Sequence, residues 1–429
     1  MTDVLFRSVL LTPNTPDGAL PFHGWLRLRG NAIADLGPGE PTIQPSDRVI
    51  DGRDRALLPG LVNAHAHSHS SLTRGSAEGL PLESWLRTIE AEQRRLTEAE
   101  AYHAALATYC EMLLGGTTTV VDMCLFPGAA VRAAQEIGIR AVVAPYVADA
   151  KPFTPTLGVT ESLLEDARSD DRVRIWVGLH DLESCSDAQV QAGVALAGRH
   201  AAGLHLHCAE TEHSVSRTLA RTGRRPVAHL AHLGALGART LLAHCVWVDT
   251  ADRQRLAESG SSVVHCPHAN LKLGSGIAPI PELLHAGVNV ALGTDGAKAN
   301  NSLDMFEVMK LASLLPKGAQ RNPALLPPGQ VLAMGTRSGA QALGIPTGTL
   351  APGMRADLVL VRLDRFHLQP AIPETILTNL VHSARASDVD LVMVDGKLIV
   401  ERGVVQTVDA EAIRRRTAEI AVNLLQSQP

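Results

Sequence analysis

Between residues 58 and 349 the chain alternates short apolar, strand-like runs with helical stretches, and this alternation constrains the fold more than any other feature. The first run is Leu58-Pro59-Gly60-Leu61-Val62-Asn63-Ala64-His65-Ala66-His67. Further runs fall at residues 116–122, 141–144, 173–179, 204–208, 241–246, 262–266 and 288–292. Helical patterns at 98–114, 129–137, 188–200, 251–258 and 280–286 separate them. Strands of that length alternating with helices predict a parallel sheet. About eight such units predict an α/β fold of the (β/α)8 TIM-like barrel type, in which chemistry gathers at the C-terminal ends of the strands.

The flanks read differently. Residues 1–57 carry strand-like runs at 4–11 and 25–29, broken by the turns Pro16-Asp17-Gly18 and Gly37-Pro38-Gly39. From residue 350 onward, runs at 356–361, 389–394 and 398–400 surround the turn Asp395-Gly396-Lys397. Such turn-punctuated short strands predict one small β-sandwich domain built from both chain ends. The expected organisation is therefore 1–57 as the N-terminal part of that domain, 58–349 as the barrel, and 350–429 as its C-terminal part. A helix over 410–425 ends the last of these.

A length of 429 residues exceeds one ordinary core. Hydrophobic residues at 45% and charged residues at 19% give the balance of a globular enzyme. The net charge of −5 comes without a basic stripe, so a nucleic-acid partner is not expected. No apolar run reaches spanning length, so neither is a membrane. The N-terminal stretch lacks the features of a signal peptide. The 6 cysteines show no CxxC spacing, which argues against a disulfide framework and for a reducing compartment. A cytoplasmic location is the expectation.

His65 and His67 lie two residues apart, so an extended strand points both imidazoles at one face. Neutral imidazole is the commonest protein ligand for a metal ion. Alone, that spacing is common on surfaces. Further along, however, His207 closes the run Leu204-His205-Leu206-His207, with Glu210 just beyond. His244 closes Leu241-Leu242-Ala243-His244, and Asp295 follows Leu292-Gly293-Thr294. Each sits where a barrel strand ends, and together they point to a metal site.

The chain resembles the amidohydrolase superfamily, in its TRZ/ATZ and cytosine, guanine and S-adenosylhomocysteine deaminase-like branch. The resemblance rests on PGLVNAHAH, GGTTTVVDM, HLHCAET, LLAHCVWVD, HCPHANLKLGSGIAPI, ALGTDGAKANNSLDMF, PGMRADLVLV and VMVDGKLIV, in that order. It implies that His65, His67, His207 and Asp295 hold one divalent metal per chain, zinc by default, with iron or manganese also suited to such a donor set. It implies that Glu210 and His244 flank a metal-bound water, that Glu210 carries a proton to a substrate ring nitrogen, and that Asp295 passes one to leaving ammonia. Relatives with two metals bridge them through a lysine on the fourth strand. Residues 173–180 contain none, which favours a single metal.

Several residues stay open. His180 matches a position at which such deaminases present a histidine to substrate, but Asp181-Leu182-Glu183-Ser184-Cys185 departs from the usual continuation. Asp181 and Glu183 can be salt-bridged surface or readers of substrate N–H groups. S-adenosylhomocysteine deaminases place a Glu shortly before a Leu-Thr pair, whereas Gln93-Arg94-Arg95 precedes Leu96-Thr97 here, with Glu92 one place off. That departure speaks against a nucleoside substrate and leaves a free base, pterin or triazine open; Trp85 and Gln93 are candidate substrate contacts. Arg74 either touches substrate or braces its loop, and His268, like His265, either touches substrate or is a buried hydrogen-bonded histidine. His69 is expected either in the pocket wall or in a structural role, and His205 is expected to face away from the barrel interior.

The resulting reading is a metal-dependent aminohydrolase that deaminates an amino-substituted N-heterocycle of purine, pterin, pyrimidine or triazine type through a metal-bound hydroxide. Its partner is a small heterocyclic substrate, and the resemblance implies a homo-oligomer. A triazine-type hydrolase that expels alkylamine or chloride is the alternative. A catalytically silent metal-binding scaffold would lack ligands, and none is missing; the absent lysine disfavours a cyclic-amide hydrolase of the dihydroorotase type.

Overall fold

The computed structural model describes residues 3–166 and 171–426. The chain divides into two compact units. One comprises Met1–Asn63, Cys110–Thr119 and Asp304–Asp409; the other comprises Ala64–Tyr109, Val120–Leu303 and Ala410–Pro429.

In the first unit, Phe22–Arg29 shows the alternating burial of a half-exposed strand, whereas Arg55–Pro59 and Leu358–Arg362 are buried along nearly their whole length. Val4–Leu11 pairs antiparallel with Phe22–Arg29, and Arg55–Pro59 pairs antiparallel with Leu358–Arg362 in the register Leu358↔Pro59. That pairing stitches the two ends of the sequence into one nine-stranded sheet. Phe6, Leu11, Leu26, Leu57, Leu360 and Met393 enter one core cluster although their strands are spread across the sheet. The sheet therefore closes over itself as the expected β-sandwich.

The barrel strands are buried on both faces, which is why they read as near-continuous apolar runs; Arg140–Pro145 is buried throughout. In order they are Leu61–Ala66, Thr117–Cys124, Arg140–Pro145, an interrupted fourth, Leu204–Cys208, Thr240–His244, Ser262–His265 and Val290–Leu292. The run at 173–179 is not one strand. Val173–Ile175 pairs with the third strand, and Val177–Gly178 with the fifth. The break falls at Trp176, and at Gly178 a Cβ would stand 2.2 Å from the Pro145 carbonyl oxygen, so only glycine lets the backbones approach there. The Asp295 amide donates to the His65 carbonyl at 2.9 Å, linking the last strand to the first.

Two helices complete the surroundings of the site. Leu82–Gln93 carries Leu82, Trp85, Leu86, Ile89 and Gln93 at helical spacing on one face. The terminal helix, Ala410–Gln426, buries Ile420 and Leu424 against Leu72, Leu96, Ala101 and Ala104. All 6 cysteines are free and buried. Among the described residues, no helix is long and apolar enough to cross a membrane.

Candidate metal centre and substrate cavity

The strand ends bring four imidazoles and a carboxylate together. His67 Nε2 lies 3.3 Å from His207 Nε2 and 3.4 Å from Asp295 Oδ1. His65 Nε2 lies 3.7 Å from the same oxygen. The ligand atoms of His65, His67 and His207 all fall within 4.8 Å of one another, as do those of His65, His244 and Asp295.

The hydrogen bonds behind these rings decide what the cluster can bind. A carbonyl only accepts, so a ring nitrogen beside one must carry the proton. His67 Nδ1 donates to the Met123 carbonyl at 2.7 Å, and His207 Nδ1 to the His180 carbonyl at 2.7 Å. Their neutral rings therefore present bare Nε2 lone pairs to each other. His205 Nδ1 donates to the Leu241 carbonyl at 2.9 Å, which leaves its Nε2 to accept from His65 Nδ1 at 2.8 Å. The consequence is a third bare lone pair, on His65 Nε2, a fully buried atom with no hydrogen-bond partner among the described residues. Burial holds the His65 ring neutral, well below its usual titration range, and the neighbouring imidazoles add to that effect. Three inward lone pairs and a carboxylate with no donor between them fit a divalent cation of borderline hardness.

His205 corrects an expectation. Residues 205 and 207 are two apart in one strand, so both project to the same face, toward the barrel interior. His205 lies behind His65 rather than against a helix.

Backbone conformation at the strand ends is unusual. His244 has φ 73 and Asp295 has φ 62, in the left-handed region that costs a non-glycine residue roughly 1–2 kcal/mol. A contact with a distant residue holds His244, whereas Asp295 is held by its own amide on the His65 carbonyl and by the amide of the next residue. His244 Nδ1 donates to Asn270 Oδ1 at 2.8 Å, and Asp295 Oδ1 accepts from the Gly296 amide at 2.6 Å. A Cβ on Gly296 would stand 2.4 Å from Ser70 Oγ, so this loop approaches the one after His67 closely only because residue 296 is glycine. Glu210 Oε2 faces His244 Nε2 at 3.8 Å. Burial pushes the Glu210 carboxyl up to about 7; His244 pulls it down, and Asp295 adds to the rise. Near neutral pH this carboxyl can hold or release a proton.

These residues open onto one cavity. His67, His180, His207, Glu210, His244 and Asp295 line it, and so do Trp85, Gln93 and His69. Arg74 and His268 are not among the lining residues; the Arg74 guanidinium donates to the Asn301 carbonyl at 3.2 Å. Asp181 is no free surface acid: its Oδ2 lies 2.6 Å from His180 Nδ1, and its Oδ1 accepts from the Ser184 hydroxyl at 2.8 Å. Glu183 pairs with Arg217 at 3.3 Å. Gln93 Nε2 reaches His69 Nε2 at 3.2 Å.

Two lining features escaped the sequence reading. Lys298 Nζ pairs with Glu92 Oε2 at 2.5 Å, with side chains only 2% and 5% exposed. Lys298 sits just past Asp295 in the otherwise uncharged stretch Gly296-Ala297-Lys298-Ala299-Asn300, and that isolated charge was the available signal. Leu424 enters the lining from the terminal helix, and nothing in its local sequence points there.

The profile of the Amidohydrolase family matches residues 56–399. The 5'-deoxyadenosine deaminase of Methanothermobacter thermautotrophicus is 38% identical over 428 residues, covering 97% of this chain and 99% of that one. The 5-methylthioadenosine/S-adenosylhomocysteine deaminase of Syntrophobacter fumaroxidans is 38% identical over 429 residues, with 98% of each chain covered. Among solved structures, an adenosine deaminase from Xanthomonas campestris with bound zinc superposes with TM-score 0.93 at 29% identity, covering 99% of both chains. The atrazine chlorohydrolase of Arthrobacter aurescens complexed with zinc gives TM-score 0.90 at 26% identity, covering 97% of this chain and 100% of that one.

Proposed function

Because the chain belongs to the amidohydrolase family, we propose that it is a metal-dependent aminohydrolase that replaces the exocyclic amine of an amino-substituted purine, carried on a nucleoside, with oxygen from water. The observation that carries the reading is the set of bare lone pairs on His65, His67 and His207 beside Asp295, with Glu210 within reach. Its end-to-end likeness to enzymes named for 5'-deoxyadenosine and 5-methylthioadenosine supports the purine branch over pterin, pyrimidine or triazine.

His65, His67, His207 and Asp295 would hold the cation, with zinc supported by the zinc-bearing structural neighbours. Such a cation lowers the pKa of water toward about 7 and so supplies a nucleophile at working pH. Glu210, with its raised carboxyl, takes one proton from the attacking water and passes it to the ring nitrogen next to the amine-bearing carbon, which makes that carbon electrophilic. His244, its Nδ1 proton fixed on Asn270, offers Nε2 to the O–H of the attacking water. Asp295 keeps one oxygen on the Gly296 amide and takes the water's second proton on its carboxylate, then gives it to the departing amine. The carbon–nitrogen bond breaks, and ammonia and the oxo-purine leave. His180, oriented by Asp181 and Ser184 and beside His207 with ring centroids 4.8 Å apart, would meet the substrate ring next to the metal cluster. A cytoplasmic location and a homo-oligomeric state belong to the proposal on the strength of the sequence reading alone.

The test is ammonia release by purified, metal-assayed protein from adenosine, 5'-deoxyadenosine, 5'-methylthioadenosine, guanine, isoxanthopterin, cytosine and an N-alkylated aminotriazine. The proposal expects ammonia from the adenosine group. Amine or chloride release from triazines alone would replace it with the triazine-hydrolase reading.

A further inference from the structure

The relatives' names leave one chemical question about this cavity. A 5'-deoxy or 5'-methylthio nucleoside ends in a small apolar group, whereas S-adenosylhomocysteine ends in a zwitterionic amino acid. Resting on the deaminase reading above, we infer that the far wall of the cavity is a subsite for an uncharged, apolar 5' substituent and that it rejects an amino-acid tail.

The wall is built from the apolar face of the helix Leu82–Gln93. Leu82, Trp85, Leu86 and Ile89 line the cavity from that helix, Leu96 from just beyond it, and Leu424 from the terminal helix. Among the described lining residues, Lys298 is the only lysine or arginine. Its ammonium already has a partner: Glu92 Oε2 stands 2.5 Å away, and both side chains are buried. The two lysines that touch lining residues are also committed. Lys151, which donates to the Tyr146 hydroxyl at 3.3 Å, pairs with Glu90 at 2.8 Å. Lys272, which donates to the Lys298 carbonyl at 3.1 Å, pairs with Glu78 at 3.0 Å.

The lining also holds five imidazoles, of which His67, His207 and His244 belong to the strand-end cluster, His180 is paired with Asp181 and His69 is in reach of Gln93; the carboxylates beside them are Asp181, Glu183, Glu210 and Asp295. A carboxylate brought into this cavity would leave water, meet no uncommitted lysine or arginine and face several like charges. The alternative, pulling Lys298 away from Glu92, would strand the glutamate instead. A methyl or methylthio group meets none of these penalties and gains contact with the leucines and Trp85.

The experiment compares kcat/KM for 5'-methylthioadenosine and S-adenosylhomocysteine on the zinc-loaded, full-length enzyme. Both carry the same adenosine, so their ratio reports the tail alone. The inference expects 5'-methylthioadenosine to be favoured by about a hundredfold, the scale on which a buried unpaired charge is penalised. A ratio within tenfold overturns it. Ammonia from adenosine but from neither of these overturns the inference alone, whereas ammonia from none of the three overturns the parent deaminase reading and the inference falls with it. A second arm uses Glu92→Gln, which frees the Lys298 ammonium for a substrate carboxylate. The ratio should narrow at least about fivefold, and an unchanged ratio would remove the ion pair from the explanation.

Discussion

The metal cradle and the far wall of the same cavity are built on opposite plans. In the cradle every ring is fixed by a hydrogen bond behind it: His67 by Met123, His207 by His180, and His65 by His205 and through it Leu241. The far wall has little polar structure of its own; Leu82, Leu86, Ile89 and Leu424 line it, and Leu424 packs with Leu96. A directional site has few tolerated alternatives, whereas an apolar wall accepts many residues of similar size. The difference predicts that lesions in the two regions fail in different observables.

The sharpest separation should come from Glu210→Gln. The amide keeps the shape and loses the titrating proton, so turnover should fall by about a thousandfold while metal content stays at its wild-type level. Undiminished turnover would remove Glu210 from the proton path. Next in size is His205→Ala, which touches neither metal nor substrate directly. Losing the acceptor behind His65 Nδ1 should weaken metal affinity about 10–100-fold, read by competition with a chelator. His205→Gln, whose amide oxygen can accept the same proton, should recover part of that loss. Equal affinity in all three proteins would break the account of how His65 is oriented.

The wall should behave otherwise. Trp85→Ala is expected to raise KM for an apolar 5'-substituted nucleoside about tenfold, with metal affinity unchanged. A Trp85 variant that lost metal would erase the distinction between the two regions. The smallest effect concerns acid. Burial pushes the His265 imidazole down to about 3, with His244 and His268 contributing. The folded chain therefore keeps it neutral while the unfolded chain takes up a proton below about pH 6.5. Its contribution runs against folding in acid, so stability falls as pH drops from about 6.5 toward 3. Between pH 6.5 and 5.5 that loss is about 1 kcal/mol. In urea titrations of metal-free protein, His265→Gln should flatten the pH dependence by that amount; an identical slope would show that His265 is not held neutral.

The contrast also explains what could be read in advance. His65, His67, His207, His244 and Asp295 were legible because each ends a strand whose length and apolarity announce it, and a barrel gathers strand ends at one place. The β-sandwich was legible because short turn-bounded strands appear at both ends of the sequence. Trp176 concealed the break in the fourth strand, since an aromatic residue between Ile175 and Val177 looks like uninterrupted β structure. His205 was misplaced for a different reason: the two-residue period that aligned His65 with His67 also aligns His205 with His207, and it had to be applied to both pairs. The far wall was the least legible region. Leu424 and Leu86 line one cavity from opposite parts of the sequence, and leucines on helices carry no mark of what they face. Lys298 and Glu92 lie far apart in sequence as well, so their pairing was visible only once the loop after Asp295 and the helix Leu82–Gln93 had been placed.

The most direct test of the central claim, that the bare lone pairs at the strand ends hold a cation on which deamination depends, is a single titration. Protein stripped by a chelator is reloaded stepwise with zinc while bound metal and ammonia release from 5'-methylthioadenosine are measured together. The account predicts no ammonia from the stripped protein and activity that rises in proportion to bound zinc, reaching its plateau at about one ion per chain. Full ammonia release from protein carrying no metal would contradict it.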